Sequence, residues 1–315
     1  MSAARVHEKT LTGKSLMDLG RHVARQGIVV YLLLFLLFHW IVDYERLEIK
    51  TLNRATPLSF EYLTKTAEAH ESFDKKKLKE FFLYFKTVTH YRPDMADAVG
   101  MLGFCYYHLG DSQKAMEAYQ KAIDLNPSFF WFHYNLGVIY FQKGRYEEAI
   151  KVLRRALKTD PLKTVEFILS SRIYLPLISK DKEKWAEAVT GQIEKTYQKC
   201  YGMLVLGYYY LGKPADLINV ANYAVARRFA DLEMFYYYMG LSAYQLKEYE
   251  KALYFLKECV RVNPVNAEAF RYLGLSLKSL GNQEVGDKMI KKAEILHDDQ
   301  GSPVSFEKKI ELGMF

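Results

Sequence analysis

The apolar positions of this chain recur at helical spacing, and one segment of the pattern returns after a fixed interval. Residues 109–127 read LGDSQKAMEAYQKAIDLNP, and residues 143–161, which begin 34 positions later, read KGRYEEAIKVLRRALKTDP. Within each segment most apolar residues fall three or four positions apart, which is the spacing of one face of an α-helix. Helix pairs that repeat at such a period cannot bury their apolar faces alone, so they stack on one another. The pattern therefore predicts an all-α solenoid.

A second pattern lies near the N-terminus, where residues 27–42 contain no charged side chain. A helix of this length spans roughly 24 Å, less than the ~30 Å hydrocarbon core of a bilayer, so we extend the predicted transmembrane anchor to residues 23–44. Trp40 and Tyr44 would then lie at the membrane interface, where amphipathic rings concentrate. A cleaved signal peptide and a buried core helix are the alternatives. Residues 43–46 offer no small-residue cleavage site, however, and the run lacks the regular polar positions of the repeat helices.

Basic residues flank the predicted anchor on both sides, with a slight excess before it. Such residues favour the cytoplasmic side of a membrane. The excess predicts a cytoplasmic N-terminus and repeats on the opposite side, which in a bacterium means an inner-membrane protein with a periplasmic repeat domain. The opposite orientation, with the repeats in the cytoplasm, stays open. The residues compared are Lys9, Lys14, Arg21 and Arg25 before the anchor and Arg46, Lys50 and Arg54 after it.

The repeated segments resemble the tetratricopeptide repeat, a pair of antiparallel helices with small residues where the helices approach closely. Residues 96–163 carry two clear units, and residues 200–296 carry three more, of which the first is weak. The clear units show Leu102, Gly103, Tyr106, Ala115, Tyr119, Ala122 and Pro127, then Leu136, Gly137, Tyr140, Ala149, Leu153, Ala156 and Pro161. The weak unit shows Leu206, Gly207, Tyr210, Tyr223 and Ala226.

The predicted organisation follows from these assignments. A tail (1–22), the transmembrane anchor (23–44) and a membrane-proximal linker helix (45–61) precede a divergent first repeat (62–95). The two clear repeats (96–163), a degenerate repeat or kink (164–199), the three further repeats (200–296) and a C-terminal tail (297–315) complete the chain.

The resemblance implies that the first helix of each repeat lines a concave groove that binds a partner protein. Counting from the glycine of each unit, we expect an aromatic groove, and rigid aromatic side chains are common in binding hot spots. Packing of these rings between repeats is the alternative. The expected groove residues are Phe104, Tyr107, Trp131, Tyr134, Phe141, Tyr201, Tyr208, Tyr237 and Tyr244.

The family's two-carboxylate clamp for peptide C-termini is not expected here. Its Lys, Asn and Arg positions hold Gly100 and Phe104 in the first clear repeat, and only Asn135 fits in the second. A terminal carboxylate would therefore find no basic partner in the groove. This absence disfavours a co-chaperone of that type.

Composition and motifs limit the remaining functions. The net charge of +7 is dispersed among acidic residues without a dense basic stripe, which disfavours nucleic-acid binding. Three distant cysteines predict buried thiols, with no disulfide framework, metal site or cofactor. No spacing of an acid–base pair, nucleophile or phosphate loop is present, so we expect no enzyme and no small-molecule substrate.

These patterns together predict a membrane-tethered scaffold that binds partner proteins, membrane-complex subunits or copies of itself. Assembly or function of a secretion, envelope or motility complex is the process that fits a tethered solenoid. Two alternatives remain: a cytoplasm-facing membrane receptor or co-chaperone, and a soluble oligomerising adaptor in which the apolar run is buried.

Overall fold

The computed structural model describes residues 75–171, 173, 182–229 and 232–300, which belong to one compact unit. In these ranges the chain forms twelve α-helices and no strand. They are α1 (Lys75–Tyr91), α2 (Ala96–His108), α3 (Ser112–Leu125), α4 (Phe130–Gln142), α5 (Tyr146–Ala156), α6 (Pro161–Ser170), α7 (Lys182–Tyr210), α8 (Pro214–Ala226), α9 (Leu232–Gln245), α10 (Tyr249–Val262), α11 (Ala267–Ser279) and α12 (Gln283–Gln300).

The predicted tail, anchor and linker helix, residues 1–61, lie outside the described residues, as does the end of the chain from residue 301. Within the described ranges, none of the helices combines the length and hydropathy that a membrane crossing requires. The membrane anchor therefore stays a prediction from the sequence.

The helices pair along the chain and the pairs stack, as predicted for an all-α solenoid. The pairs are α2 with α3, α4 with α5, α7 with α8, α9 with α10 and α11 with α12, and α1 packs on α2 at the start. We call α2, α4, α7, α9 and α11 the first helices and their partners the second helices. Contacts of α7 with α4 and α9, and of α9 with α11, join four of these first helices into one layer, and a hydrogen bond from Tyr107 to Gln142 joins α2 to α4.

Each pair is held together at one close approach between its helices. A Cβ atom added to Gly137 would lie 2.6 Å from Leu153 Cδ2, and one added to Gly240 would lie 2.6 Å from Leu256 Cγ. In both pairs the large residue stands 16 positions after the glycine, and Gly103 meets Tyr119 at the same offset. Larger side chains at these glycines would push the helices apart, because packed interiors leave no free volume.

The turn between the two helices of a pair requires a left-handed backbone residue. Gly110 and Gly144 take this conformation, with φ of +89° and +70°, and each stands seven positions after the close-approach glycine. In the α9–α10 turn the same place holds Lys247, with φ of +61°. A side chain there is strained, because its Cβ crowds the following carbonyl oxygen.

In the α7–α8 pair, the large residue of the close approach is on the first helix and the small residue is on the second. The buried positions of α8 are Leu217, Ala221 and Ala224, and counting back 16 positions from Ala221 reaches the fully buried Val205. Gly212, the left-handed residue of this turn, stands seven positions after Val205, as the other pairs require. A large residue on α7 therefore faces a small one on α8, which reverses the usual order.

The predicted assignment of Gly207, Tyr223 and Ala226 to the interior of this pair is wrong. Tyr223 is 48% exposed and Ala226 is also exposed. Gly207 instead faces Ile150 of α5, since a Cβ atom added to the glycine would lie 3.2 Å from the Ile150 side chain. The lack of a side chain at Gly207 thus allows α7 to stack closely on the preceding pair.

The α7–α8 pair stacks on the α4–α5 pair through contacts of α7 with α4 and α5. Tyr197 contacts Phe130 at the start of α4, and Tyr210 stacks on Tyr146 of α5 at 4.8 Å between ring centroids. The C-terminal half of α7 thereby occupies the place of the next first helix. The 29 residues of α7 extend well before this contact region.

Helix α6 contacts the N-terminal end of α4, and the residue after α6 contacts the N-terminal end of α2. The Phe130 amide donates to Thr164 Oγ1 at 3.0 Å, which caps α4 from outside its own sequence. Phe167 packs on Phe129 at 4.9 Å between ring centroids. Directly after α6, the Ser171 hydroxyl donates to the buried carboxylate of Asp97 in α2. Burial raises the pKa of Asp97, against the opposing effect of this hydrogen bond.

Replacing Lys247 by glycine is expected to raise the free energy of unfolding by about 1 kcal/mol, because glycine accepts a positive φ without the Cβ clash. Urea denaturation followed by circular dichroism measures the change. Gly144→Lys, at the equivalent turn, should lower stability by a similar amount. A neutral or destabilising effect of Lys247→Gly would contradict the strain.

A matched pair of alanine substitutions tests the register of the α7–α8 pair. Tyr119→Ala is expected to cost about 3 kcal/mol, since the ring fills the close approach of α2 and α3. Tyr223→Ala, at the position that the repeat pattern equates with it, should change stability by less than about 0.5 kcal/mol because its ring is exposed. Equal losses of stability in the two variants, measured by thermal unfolding, would refute the shifted register.

Candidate protein-binding surface

Nine aromatic residues of the first helices are expected to line a groove. The structure buries them to very different extents. Three of them are buried: Tyr134 and Phe141 are 7% exposed and Tyr208 is 5% exposed. The other six are half-buried: Phe104, Tyr107, Trp131, Tyr201, Tyr237 and Tyr244. Their role in binding stays a prediction.

The three buried rings stabilise the contacts among α4, α5 and α7. Tyr134 lies parallel to Phe130 at 5.9 Å between centroids, and burial raises the pKa of its phenol strongly. Phe141 meets Tyr146 edge to face at 5.3 Å. The Tyr208 ring lies under the guanidinium of Arg154, whose Cζ is 5.5 Å from the ring centroid. A partner would have to displace packed side chains to reach these faces.

The N-terminal part of the surface joins α2 to α4. The Tyr107 hydroxyl donates to Gln142 Oε1 at 2.9 Å, so the two first helices share a hydrogen bond on this face. Phe104 packs on His108 at 4.3 Å between centroids, and Trp131 meets Tyr134 edge to face at 5.9 Å. Aromatic rings with polar tips thus cover the junction of the first two pairs.

The C-terminal part of the surface is formed by tyrosines of α7, α9 and α11. Tyr209 meets Tyr238 at 5.2 Å, and Tyr237 adjoins Tyr238 at 5.1 Å. Tyr244 contacts Tyr272 of α11 edge to face at 5.5 Å. Burial raises the pKa of Tyr237, and the nearby carboxylate of Glu268 acts in the same direction. The Tyr237 phenol therefore remains a protonated donor at neutral pH.

Tyr201 does not lie with this set. Its ring contacts Tyr223 at 5.5 Å and Phe229 at 5.6 Å, on the side of the second helix α8. Burial, followed by the neighbouring Tyr223, raises its pKa to about 12. The shifted register explains this position, because Tyr201 was counted from Gly207 and not from Val205.

Sequence reasoning missed Tyr209, Tyr272 and Gln142. The offset of seven positions between the close-approach residue and the turn glycine was the available signal, since Gly212 leads back to Val205. Tyr209 stands four positions after Val205, the same offset that Tyr107 has from Gly103 and Tyr244 from Gly240. Gln142 has no aromatic signature, and only its bond to Tyr107 reveals its position.

The positions of the family's carboxylate clamp are occupied by packing contacts. A Cβ atom on Gly100 would lie 2.1 Å from the Phe132 ring, so no longer side chain fits there. The amide of Asn135 donates to the Tyr119 hydroxyl at 3.2 Å. The residues at these positions therefore provide no cation for a terminal carboxylate.

Reactive groups are scarce near this surface. Cys105, Cys200 and Cys259 are buried free thiols, and burial raises the pKa of Cys105 to about 12. Such thiols stay protonated and unreactive. Across the residues that the structure describes, no three His, Cys, Asp or Glu side chains are grouped to hold a metal ion. The chemistry that the surface offers is apolar contact and hydrogen bonding from phenols.

Three segments of the chain match models of the tetratricopeptide repeat. Residues 103–144 match a model described as TPR repeat. Residues 130–161 and 235–264 match two models described as tetratricopeptide repeat. These segments include the glycine–large residue contacts of the α2–α3, α4–α5 and α9–α10 pairs.

Two curated proteins are similar in sequence to this chain. TPR repeat-containing protein MJ1428 from Methanocaldococcus jannaschii is 26% identical over 224 residues, which cover 71% of this chain and 34% of that protein. BBSome complex member BBS4 from Bos taurus is 24% identical over 199 residues, which cover 61% of this chain and 37% of that protein. The chain spans about a third of the length of these relatives.

The crystal structure of YrrB, a TPR protein with an unusual peptide-binding site, resembles the fold of this chain. The TM-score is 0.50 at 17% identity, and the match covers 73% of this chain and 96% of YrrB. At this identity the likeness concerns the fold alone. The helix pairs and the repeated close approach make the described part of the chain an all-α solenoid, and the matched segments show tetratricopeptide repeats at residues 103–161 and 235–264.

Proposed function

We propose that this protein is a membrane-tethered scaffold that binds a partner protein on the layer of first helices. The carrying observation is the set of half-buried rings in that layer, which we call the aromatic surface: Phe104, Tyr107, Trp131, Tyr237 and Tyr244. Its role would be the assembly or function of a membrane-associated complex, such as one for secretion, envelope construction or motility.

Half-buried aromatic residues suit protein recognition for a physical reason. Their rings bury a large area at a small cost in side-chain entropy, and their hydroxyl or indole groups add direction. Packing below the surface already orients them: Tyr107 is held by Gln142, and Tyr244 by Tyr272. A partner would therefore meet a preorganised surface, which favours affinity.

The tether rests on the uncharged run at residues 27–42. Attachment to a bilayer would confine the solenoid near membrane-bound partners and raise their effective concentration. Modest affinity at the aromatic surface would then be sufficient. The slight basic excess before the run favours a solenoid outside the cytoplasm, in the periplasm of a bacterium. Protease treatment of sealed vesicles distinguishes this orientation from a cytoplasm-facing receptor.

Replacing Trp131 or Tyr237 by alanine is expected to reduce capture of the partner about 30-fold, the loss typical of a hot-spot residue. Capture is measured by native purification from membranes and quantitative mass spectrometry of the proteins that co-purify with the wild type. Tyr254→Ala is the control, because Tyr254 is 61% exposed on the second helix α10. Thermal unfolding gives the folded fraction of each variant. If the folded fraction of both surface variants captures normally, the rings belong to the core and the proposal is wrong.

Introducing glutamate at Leu34 and Leu36 is expected to release the protein from membranes, because charged side chains near the bilayer centre cost several kcal/mol. Carbonate extraction followed by immunoblotting measures the released fraction. Leu83→Glu serves as the control, since that leucine is 61% exposed on α1. Release of the unmodified protein by carbonate would instead support the soluble adaptor.

A further inference from the structure

Two tyrosines of α9 present hydrogen-bond donors on the aromatic surface. Tyr237 and Tyr244 stand seven positions apart, two helical turns, so both occupy one side of α9. The described residues provide neither hydroxyl with a hydrogen-bond partner, whereas Tyr107 at the other end of the layer is bonded to Gln142. Two half-buried phenols therefore keep an unused donor on the aromatic surface.

The three charged side chains of the neighbouring helix α11 all form ion pairs, and Lys278 pairs with Asp287 of α12 at 2.8 Å. Glu268 and Arg271 of α11, which lie near Tyr237, form an ion pair with each other at 2.8 Å. The other inward-facing residues of α9, Met234 and Leu241, are apolar. A strongly acidic or basic partner would find the charges of α11 already paired, which favours an uncharged partner.

An apolar groove can accept an α-helical or an extended peptide. Phenol donors distinguish between these two kinds of ligand. The carbonyls within an α-helix are already bonded to amides four residues ahead, so a docked helix would leave both phenols without an acceptor. An extended chain of the polyproline II type has no internal hydrogen bonds, and its carbonyls are free to accept. Proline rings also pack well on aromatic side chains.

We infer that the C-terminal part of the aromatic surface, centred on Tyr237 and Tyr244, binds an extended, uncharged, proline-rich segment of a partner protein. The phenols donate to peptide carbonyls, and the rings of Tyr237, Tyr244 and Tyr272 contact proline rings. This inference rests on the proposed function, because it names the chemistry of the partner at the same surface.

Titration of the purified full-length protein with an acetylated, amidated decaproline peptide tests this inference. Isothermal titration calorimetry should detect binding that weakens about 3- to 10-fold in Tyr237→Phe and again in Tyr244→Phe, since each change removes only one hydroxyl. Tyr254→Phe, which removes an exposed hydroxyl from α10, should leave the affinity unchanged. Thermal unfolding verifies that the three variants are equally stable.

Two results would overturn the inference: absence of decaproline binding at millimolar peptide, or an affinity that both phenylalanine variants retain. An uncharged amphipathic helical peptide of equal length, titrated in parallel, would then identify a helix as the occupant if it binds. The capture experiment separates this failure from that of the proposed function. If Tyr237→Ala loses capture but decaproline does not bind, the proposed protein-binding surface is supported and an extended peptide is rejected as its ligand.

Discussion

The separation of the two helices in each pair depends on the volumes that meet at one point of close approach. At Gly137 and Gly240 the side chain opposite fills the space that a Cβ would need, so the first helix carries no side chain where its partner carries a leucine. The turn must then reverse the chain within a few residues, which places a left-handed residue seven positions later. Stacking of the pairs, the layer of first helices and the exposure of their aromatic residues all follow from this spacing.

Regular pairs could be predicted from sequence because their small and large residues stand in the usual order. The α7–α8 pair could not, since Val205 and Ala221 exchange sizes while keeping a similar combined volume, which protein cores tolerate. The search for a glycine then selected Gly207, which is small because of Ile150 in the preceding pair. Periodicity was the better guide: Val205 stands 68 residues after Gly137, twice the period of 34.

The aromatic surface was predicted with mixed success for the same reason. The offsets counted in α2, α4 and α9 identified half-buried rings such as Tyr107 and Tyr237, whereas those counted in α7 inherited the displaced register and led to Tyr201 and Tyr208. Burial of Tyr134 has another origin: Phe130 and α7 cover it. No residue pattern within α4 reports how closely a helix some 60 positions later in sequence will pack.

One period after Gly137, the close-approach position falls on Ser171. Its hydroxyl bonds to Asp97, 74 residues earlier. Repeat arrays usually contain only contacts between neighbours, so their ends can unfold independently of their centres. The Ser171–Asp97 bond and the cap that Thr164 provides to α4 add contacts of high sequence separation to the N-terminal pairs. Such contacts slow folding and couple distant segments, so we expect α2 to α6 to unfold together rather than pair by pair.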